Sequence, residues 1–103
     1  MEFEFDAELW LWEVRTQTYT FVSLPPDVAD EILDGAGRFA RGFGSVRVEV
    51  TIGRTVWRTS IFPSNSDKTY VLPVKKAVRQ AEGLVIGGTA TVRVTLVDVP
   101  NSD

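Results

Sequence analysis

Residues 45–63 read SVRVEVTIGRTVWRTSIFP, and the way this stretch pairs with itself decides the fold. Apolar and polar residues alternate with period two on both sides of Gly53-Arg54, the pattern of two half-buried strands joined by a two-residue turn. Glycine first in such a turn suits a type II′ hairpin, whose twist matches that of the strands it joins. The turn fixes the register. Ile52 faces Thr55, Val50 faces Trp57, Glu49 faces Arg58, Val48 faces Thr59 and Arg47 faces Ser60. One side then carries Val46, Val48, Val50, Ile52, Trp57 and Ile61, a wall of a core. The other carries Arg47, Glu49, Thr51, Val56, Arg58 and Ser60, with Glu49 and Arg58 as an opposed cross-strand pair.

Toward the N-terminus, residues 2–13 alternate again. Phe3, Phe5, Ala7, Leu9 and Leu11 share the inner face, while Glu2, Glu4, Asp6 and Glu8 form an outer acidic ladder of the kind that discourages edge-to-edge pairing. Trp10 and Trp12 continue that outer face. Cover by a helix is their expected fate; the alternative is an exposed aromatic patch, which would mark a binding surface. Residues 15–18 form a loop without a strong turn pair, and 18–24 a second strand rich in β-branched and aromatic residues. The period then changes. Val28, Ala29, Ile32 and Leu33 make a helical stripe, opened by Pro25-Pro26 and followed by Gly35.

Beyond the hairpin, residues 63–68 have loop composition and 69–72 form a short strand. A second short helix follows over 73–83, with Val74, Ala77, Val78 and Ala81 inward, Lys75, Lys76 and Arg79 outward, and Gly83 as its cap. A last alternating strand spans 89–99. The two halves echo each other. Leu24-Pro25 matches Leu72-Pro73 at an offset of 48, and Val46-Arg47-Val48 matches Val92-Arg93-Val94 at an offset of 46. A pseudo-repeat of strand, Leu-Pro, helix and strand closes most simply on one core. The expected fold is mainly β, a small closed barrel with two short helices, in a single domain over residues 1–103.

The chain has 103 residues, no cysteine and no histidine, which removes thiolate chemistry together with the commonest general base and transition-metal ligand. Phosphate loops, dinucleotide fingerprints, zinc spacings and calcium loops are absent. Ser45 and Ser60 have no histidine to activate them, and no carboxylate pair is marked out, so an enzyme is the minority reading and no cofactor or metal is expected. No apolar run approaches the length of a membrane span and the acidic start is unlike a signal peptide, so a cytoplasmic protein is expected. Charge is unevenly placed. Residues 1–34 carry nine acids against Arg15 alone, whereas residues 35–95 carry ten bases against Glu49, Asp67 and Glu82. The expected outcome is that the two halves lie side by side and cancel; the alternative is that they segregate into an anion-binding face.

Two resemblances follow from these residues. VLPVKKAVRQAEGLVIGGTATV (71–92) is similar to the strand–helix–strand unit of AbrB-type swapped-hairpin DNA-binding proteins, which implies shared architecture and makes nucleic-acid binding an alternative function. Over nearly the whole chain, and most specifically in GFGSVRVEVTIGRTVWRTSIFP with YVLPVKKAVRQAEGL, the sequence resembles the bacterial and archaeal domain-of-unknown-function 1905 family. The resemblance implies a small closed β-barrel with short helices and carries no catalytic residues. Gly88 departs from the acidic residue expected after the last glycine of the 83–88 turn. The leading function is a binding module for a small anion or a protein partner. Its candidate surface is Arg41, Arg47, Arg58, Lys75, Lys76 and Arg79, with Ser60 as a hydrogen-bonding member.

Overall fold

The computed structural model describes residues 1–36, 44–64 and 69–97. Six strands and two helices follow one another as β1 (Glu2–Val14), β2 (Gln17–Ser23), α1 (Pro26–Ala36), β3 (Val46–Ile52), β4 (Thr55–Ser64), β5 (Thr69–Pro73), α2 (Lys76–Glu82) and β6 (Thr89–Leu96). The strands close into an antiparallel barrel in the order β1-β2-β5-β4-β3-β6. The β3–β4 hairpin has the register its turn dictates, from Ile52–Thr55 through Glu49–Arg58 to Arg47–Ser60. Gly53 has φ 59, and Arg15 is the one non-glycine residue with positive φ among the described residues, so Arg54 has the negative φ of a II′ turn.

β1 and β4 are the corners. β1 pairs with β6 over Glu2–Glu8 and then with β2 over Leu9–Val14. β4 likewise pairs with β3 over Thr55–Ile61 and then with β5 over Phe62–Ser64. Strand β4 thus continues through Pro63 and Ser64, where composition alone suggests a loop, because they pair with Tyr70 and Thr69 of β5; residues 65–68 lie outside the described residues.

The halves β1-β2-α1-β3 and β4-β5-α2-β6 are related by a pseudo-two-fold: exchanging them leaves the cyclic strand order unchanged. Leu24 N–H donates to Tyr70 O and Val74 N–H donates to Thr20 O, both at 2.9 Å, so the β2–β5 seam centres on the Val22–Leu72 pair. Each helix starts two residues beyond, at Pro26 and at Lys76. The structural repeat therefore aligns Leu24 with Val74, two residues away from the Leu-Pro match in the sequence. A shift of two keeps every side chain on its own face, which is why both alignments read alike.

The core is aliphatic. Val22, Val48, Val50, Ile61, Leu72, Val92 and Val94 are fully buried inside the barrel, with Leu24, Ile32 and Val78 at its ends. Several expectations change here. Leu33 is exposed, because only Val28, Ala29 and Ile32 of α1 reach the core. Gly35 lies inside α1 rather than after it, and a Cβ there would collide with the Met1 side chain. Ala77 and Ala81 face solvent, since α2 rests on the barrel through Val78, while Val74 is buried ahead of the helix. Leu11 is exposed because the β1–β2 hairpin overshoots the barrel, where β2 meets β5 only over Phe21–Ser23. β6 ends at Leu96, so Val97 falls beyond it, and residues 98–99 lie outside the described residues.

Candidate functional site

The outer surface has two characters. Over β6, β3 and the first part of β1 it is a polar ladder. Thr91 Oγ1 donates to Asp6 at 2.7 Å, Arg93 pairs with Glu4 at 3.0 Å, and Arg58 pairs with Glu49 at 3.5 Å. The acidic strand is thus matched mostly by threonine hydroxyls. Arg93–Glu4 is the one ion pair among the described residues that joins the acidic first third to the basic remainder. Among the described residues the acidic third and the basic remainder meet in that pair, because β6 offers β1 one cation.

Over β1, β2, β5 and the end of β4 the outer surface is aromatic. Pairing sets Trp10 opposite Phe21 and Trp12 opposite Tyr19. Their rings lie 5.2–6.1 Å apart in tilted cross-strand contacts, with Tyr19 and Phe21 6.3 Å apart along β2. Trp10 is tethered by its Nε1–H to Ser23 Oγ at 3.0 Å, and Tyr19 Oη donates to Gln17 Oε1. Trp12 is 52% exposed, and Tyr19 and Phe62 are 43% exposed. No described helix covers Trp12, which takes the exposed-patch alternative, while Trp10 is half-buried. Trp12, Tyr19, Phe21 and Phe62, with Val71 and Pro73, line an apolar groove of about 530 Å³.

Beside this groove lies a basic cleft of about 330 Å³. Arg58 of β4 enters it from one wall, Lys75, Lys76 and Arg79 from the start of α2, and Thr18, Tyr19 and Thr20 from β2. Trp57, expected as core wall, packs against the core while half-buried and lines the same cleft. Arg79 is steered by a 3.4 Å hydrogen bond from its Nε to Val74 O. No carboxylate is among the described residues that line the cleft. Four of the expected basic residues thus converge. Arg47 and Ser60 do not: they face each other one row further along the hairpin, outside the cleft. Arg41 lies outside the described residues.

Sequence reasoning missed Thr18, Tyr19, Thr20, Phe21 and Phe62. The signal was the run of aromatics at alternate positions, Trp10 and Trp12 followed by Tyr19 and Phe21. Without a recognisable turn the β1–β2 register could not be drawn to bring them together.

Fold and site together define a helix-capped, pseudo-symmetric six-stranded barrel with an aromatic groove opening into a basic cleft. The chain belongs to the family described as Domain of unknown function (DUF1905), whose sequence profile it matches over residues 5–94. No curated protein matches it. Among the described residues no helix is long and apolar enough to cross a membrane, and no group of acids is arranged to hold a metal ion.

Proposed function

We propose that the domain is a non-enzymatic binding module whose working surface is the basic cleft, taking an anionic group of a small ligand or a protein partner. The observation that carries this reading is the convergence of Arg58, Lys75, Lys76 and Arg79 beside Trp57 in one ligand-sized concavity. Lys75 and Lys76 make no ion pair among the described residues, so their charge is available to an incoming anion. Threonine hydroxyls from β2 and β4 add donors that orient such a group. The described residues lining the cleft offer cations and hydroxyls but no carboxylate to act as a base, which supports recognition over acid–base chemistry.

Titration with inorganic pyrophosphate, read by tryptophan fluorescence through Trp57, tests the reading. In the Lys75→Glu/Lys76→Glu variant affinity falls about tenfold or more, the scale of losing one or two charge-assisted hydrogen bonds. Arg58→Ala weakens binding while changing the melting temperature little, because its pair with Glu49 is exposed (64% and 40%) and contributes well under ~1 kcal/mol. Arg47→Glu, outside the cleft, leaves affinity unchanged. Equal losses in all three variants, or no response in the wild type, would overturn the proposal.

A further inference from the structure

We infer that β5 floors a single bipolar furrow that holds an extended segment of a partner protein, acidic at one end, apolar or prolyl in the middle and basic at the other. The inference rests on the basic cleft being a binding site and names what enters it.

Three concavities lie in series along β5. The first, under α1, is lined by Asp30 and Leu33 with Thr69 and Tyr70. It shares Pro63 and Ser64 with the aromatic groove, whose floor includes Val71 and Pro73. The groove in turn shares Tyr19 and Pro73 with the basic cleft, where the floor continues through Val74 to Lys76. From Thr69 to Lys75 the path is about 20 Å at ~3.3 Å per residue, room for roughly six extended residues.

The polarity has a topological cause. β2 and β5 run antiparallel, so the helix after β2 and the helix after β5 stand at opposite ends of their shared seam. The first helix carries Asp27, Asp30, Glu31 and Asp34 with no base, and the second opens with Lys75, Lys76 and Arg79. A ligand lying along β5 therefore meets acid at one end, aromatic rings in the middle and cations at the other.

This pattern selects among occupants. The floor strand β5 already pairs with β4 on one side and β2 on the other, so a segment lying along it is held by pockets for its side chains rather than by a sheet ladder. Exposed aromatics beside prolines form the kind of wall on which prolyl or aromatic side chains dock. A single-stranded nucleic acid could also stack on such rings, but it carries a charge at every nucleotide and would bring phosphates against Asp30. A second copy would set groove against groove and leave both unfilled.

Panning a displayed library of random 12-residue peptides on the full chain tests the inference, with anisotropy titration of the enriched peptides as labelled synthetic probes. The expected enrichment is Pro, Tyr or Trp flanked by Asp or Glu on one side and Lys or Arg on the other. Binding weakens about tenfold or more in Trp12→Ala and in Lys75→Glu/Lys76→Glu, both at exposed positions whose folding is checked by circular dichroism. Panning on Asp30→Lys shifts the enrichment to peptides acidic at both ends. Uniformly acidic peptides that ignore Trp12→Ala and Asp30→Lys would overturn the furrow and leave the anion cleft standing. Peptides that also ignore the double lysine variant, or no enrichment at all, would overturn both. Tighter binding of a 15-nucleotide oligo-dT than of any peptide would give the surface to nucleic acid. A dimer in sedimentation that Trp12→Ala dissociates would give it to a second copy.

Discussion

The β1–β2 hairpin turns at Arg15-Thr16, and Arg15 sits at φ 56, in the left-handed region that L side chains disfavour by about 1–2 kcal/mol. The corresponding position of the β3–β4 turn is Gly53, at φ 59, where glycine is at ease and where a Cβ would also strike the Glu82 carboxylate. Arg15→Gly therefore stabilises the barrel by about 0.5–1 kcal/mol after the glycine's extra unfolded-state entropy is deducted. The melting temperature rises by roughly 2–6 °C on a chain of this size, checked by thermal circular dichroism. An unchanged or lower value would mean that the Arg15 side chain makes a compensating contact. The same residue explains what was hard to read: a turn without glycine, asparagine or aspartate gives no register. The aromatic pairs it sets up stayed hidden although each aromatic was in plain view.

Tyr70 gives the pH dependence at this scale. It is 5% exposed at the α1 end of the barrel, and burial pushes its phenol above the ordinary tyrosine value. Below about pH 10 the phenol is neutral whether the chain is folded or not, so it adds no pH dependence. Above that, the unfolded chain releases its proton first and binds fewer protons than the native state, so stability falls with rising pH until the folded phenol ionises too. Tyr70→Phe removes this slope. Urea midpoints at pH 9 and pH 11 should therefore differ more in the wild type than in Tyr70→Phe, and equal differences would assign the alkaline loss to other groups.

At the scale of elements, α2 is the piece that the basic cleft depends on, and seven residues are too few for a helix to persist unaided. Three attachments hold it: Val78 in the core, Gly83 closing the helix at φ 63, and a 2.6 Å hydrogen bond from Thr55 Oγ1 to Glu82 Oε2. The last ties the end of α2 to the β3–β4 turn, so the hairpin that decides the fold also positions the helix that carries the cations. Glu82→Ala loses about 1 kcal/mol of stability, as expected for a partly buried charge-assisted bond. It also weakens pyrophosphate binding although Glu82 is absent from the cleft lining. Denaturation and fluorescence titration on one sample check both, and a stability loss with full affinity would show that α2 is placed by Val78 and Gly83 alone. The helix itself was legible from its period and its terminal glycine. Which of its faces counted was not, because Ala77 and Ala81 satisfy the apolar pattern, yet one buried contact is all so short a helix makes with the barrel.

For the whole molecule, the period-two pattern and the echo between halves sufficed to infer a closed barrel, since two half-buried units with matching faces have no simpler way to hide them. The furrow along β5 was not legible, because it depends on β2 and β5 lying antiparallel as neighbours, and no local pattern names a strand's distant partner. The pseudo-two-fold makes a further demand. Of the six seams, β1–β2 and β4–β5 lie within a half, whereas β1–β6, β2–β5, β3–β4 and β3–β6 join one half to the other. A chain cut between Gly53 and Arg54 leaves each fragment with a single paired hairpin, a helix and a strand without a partner, and an isolated two-stranded hairpin is marginal at best. Fragments 1–53 and 54–103 are each expected to lack a barrel spectrum in far-ultraviolet circular dichroism. Mixed, they regain it together with pyrophosphate binding, because the cleft draws Tyr19 from the first fragment and Arg58, Lys75 and Arg79 from the second. Independent folding of either fragment would mean that its own hairpin and helix suffice for a core, and the two-fold would then be a likeness of form without interdependence.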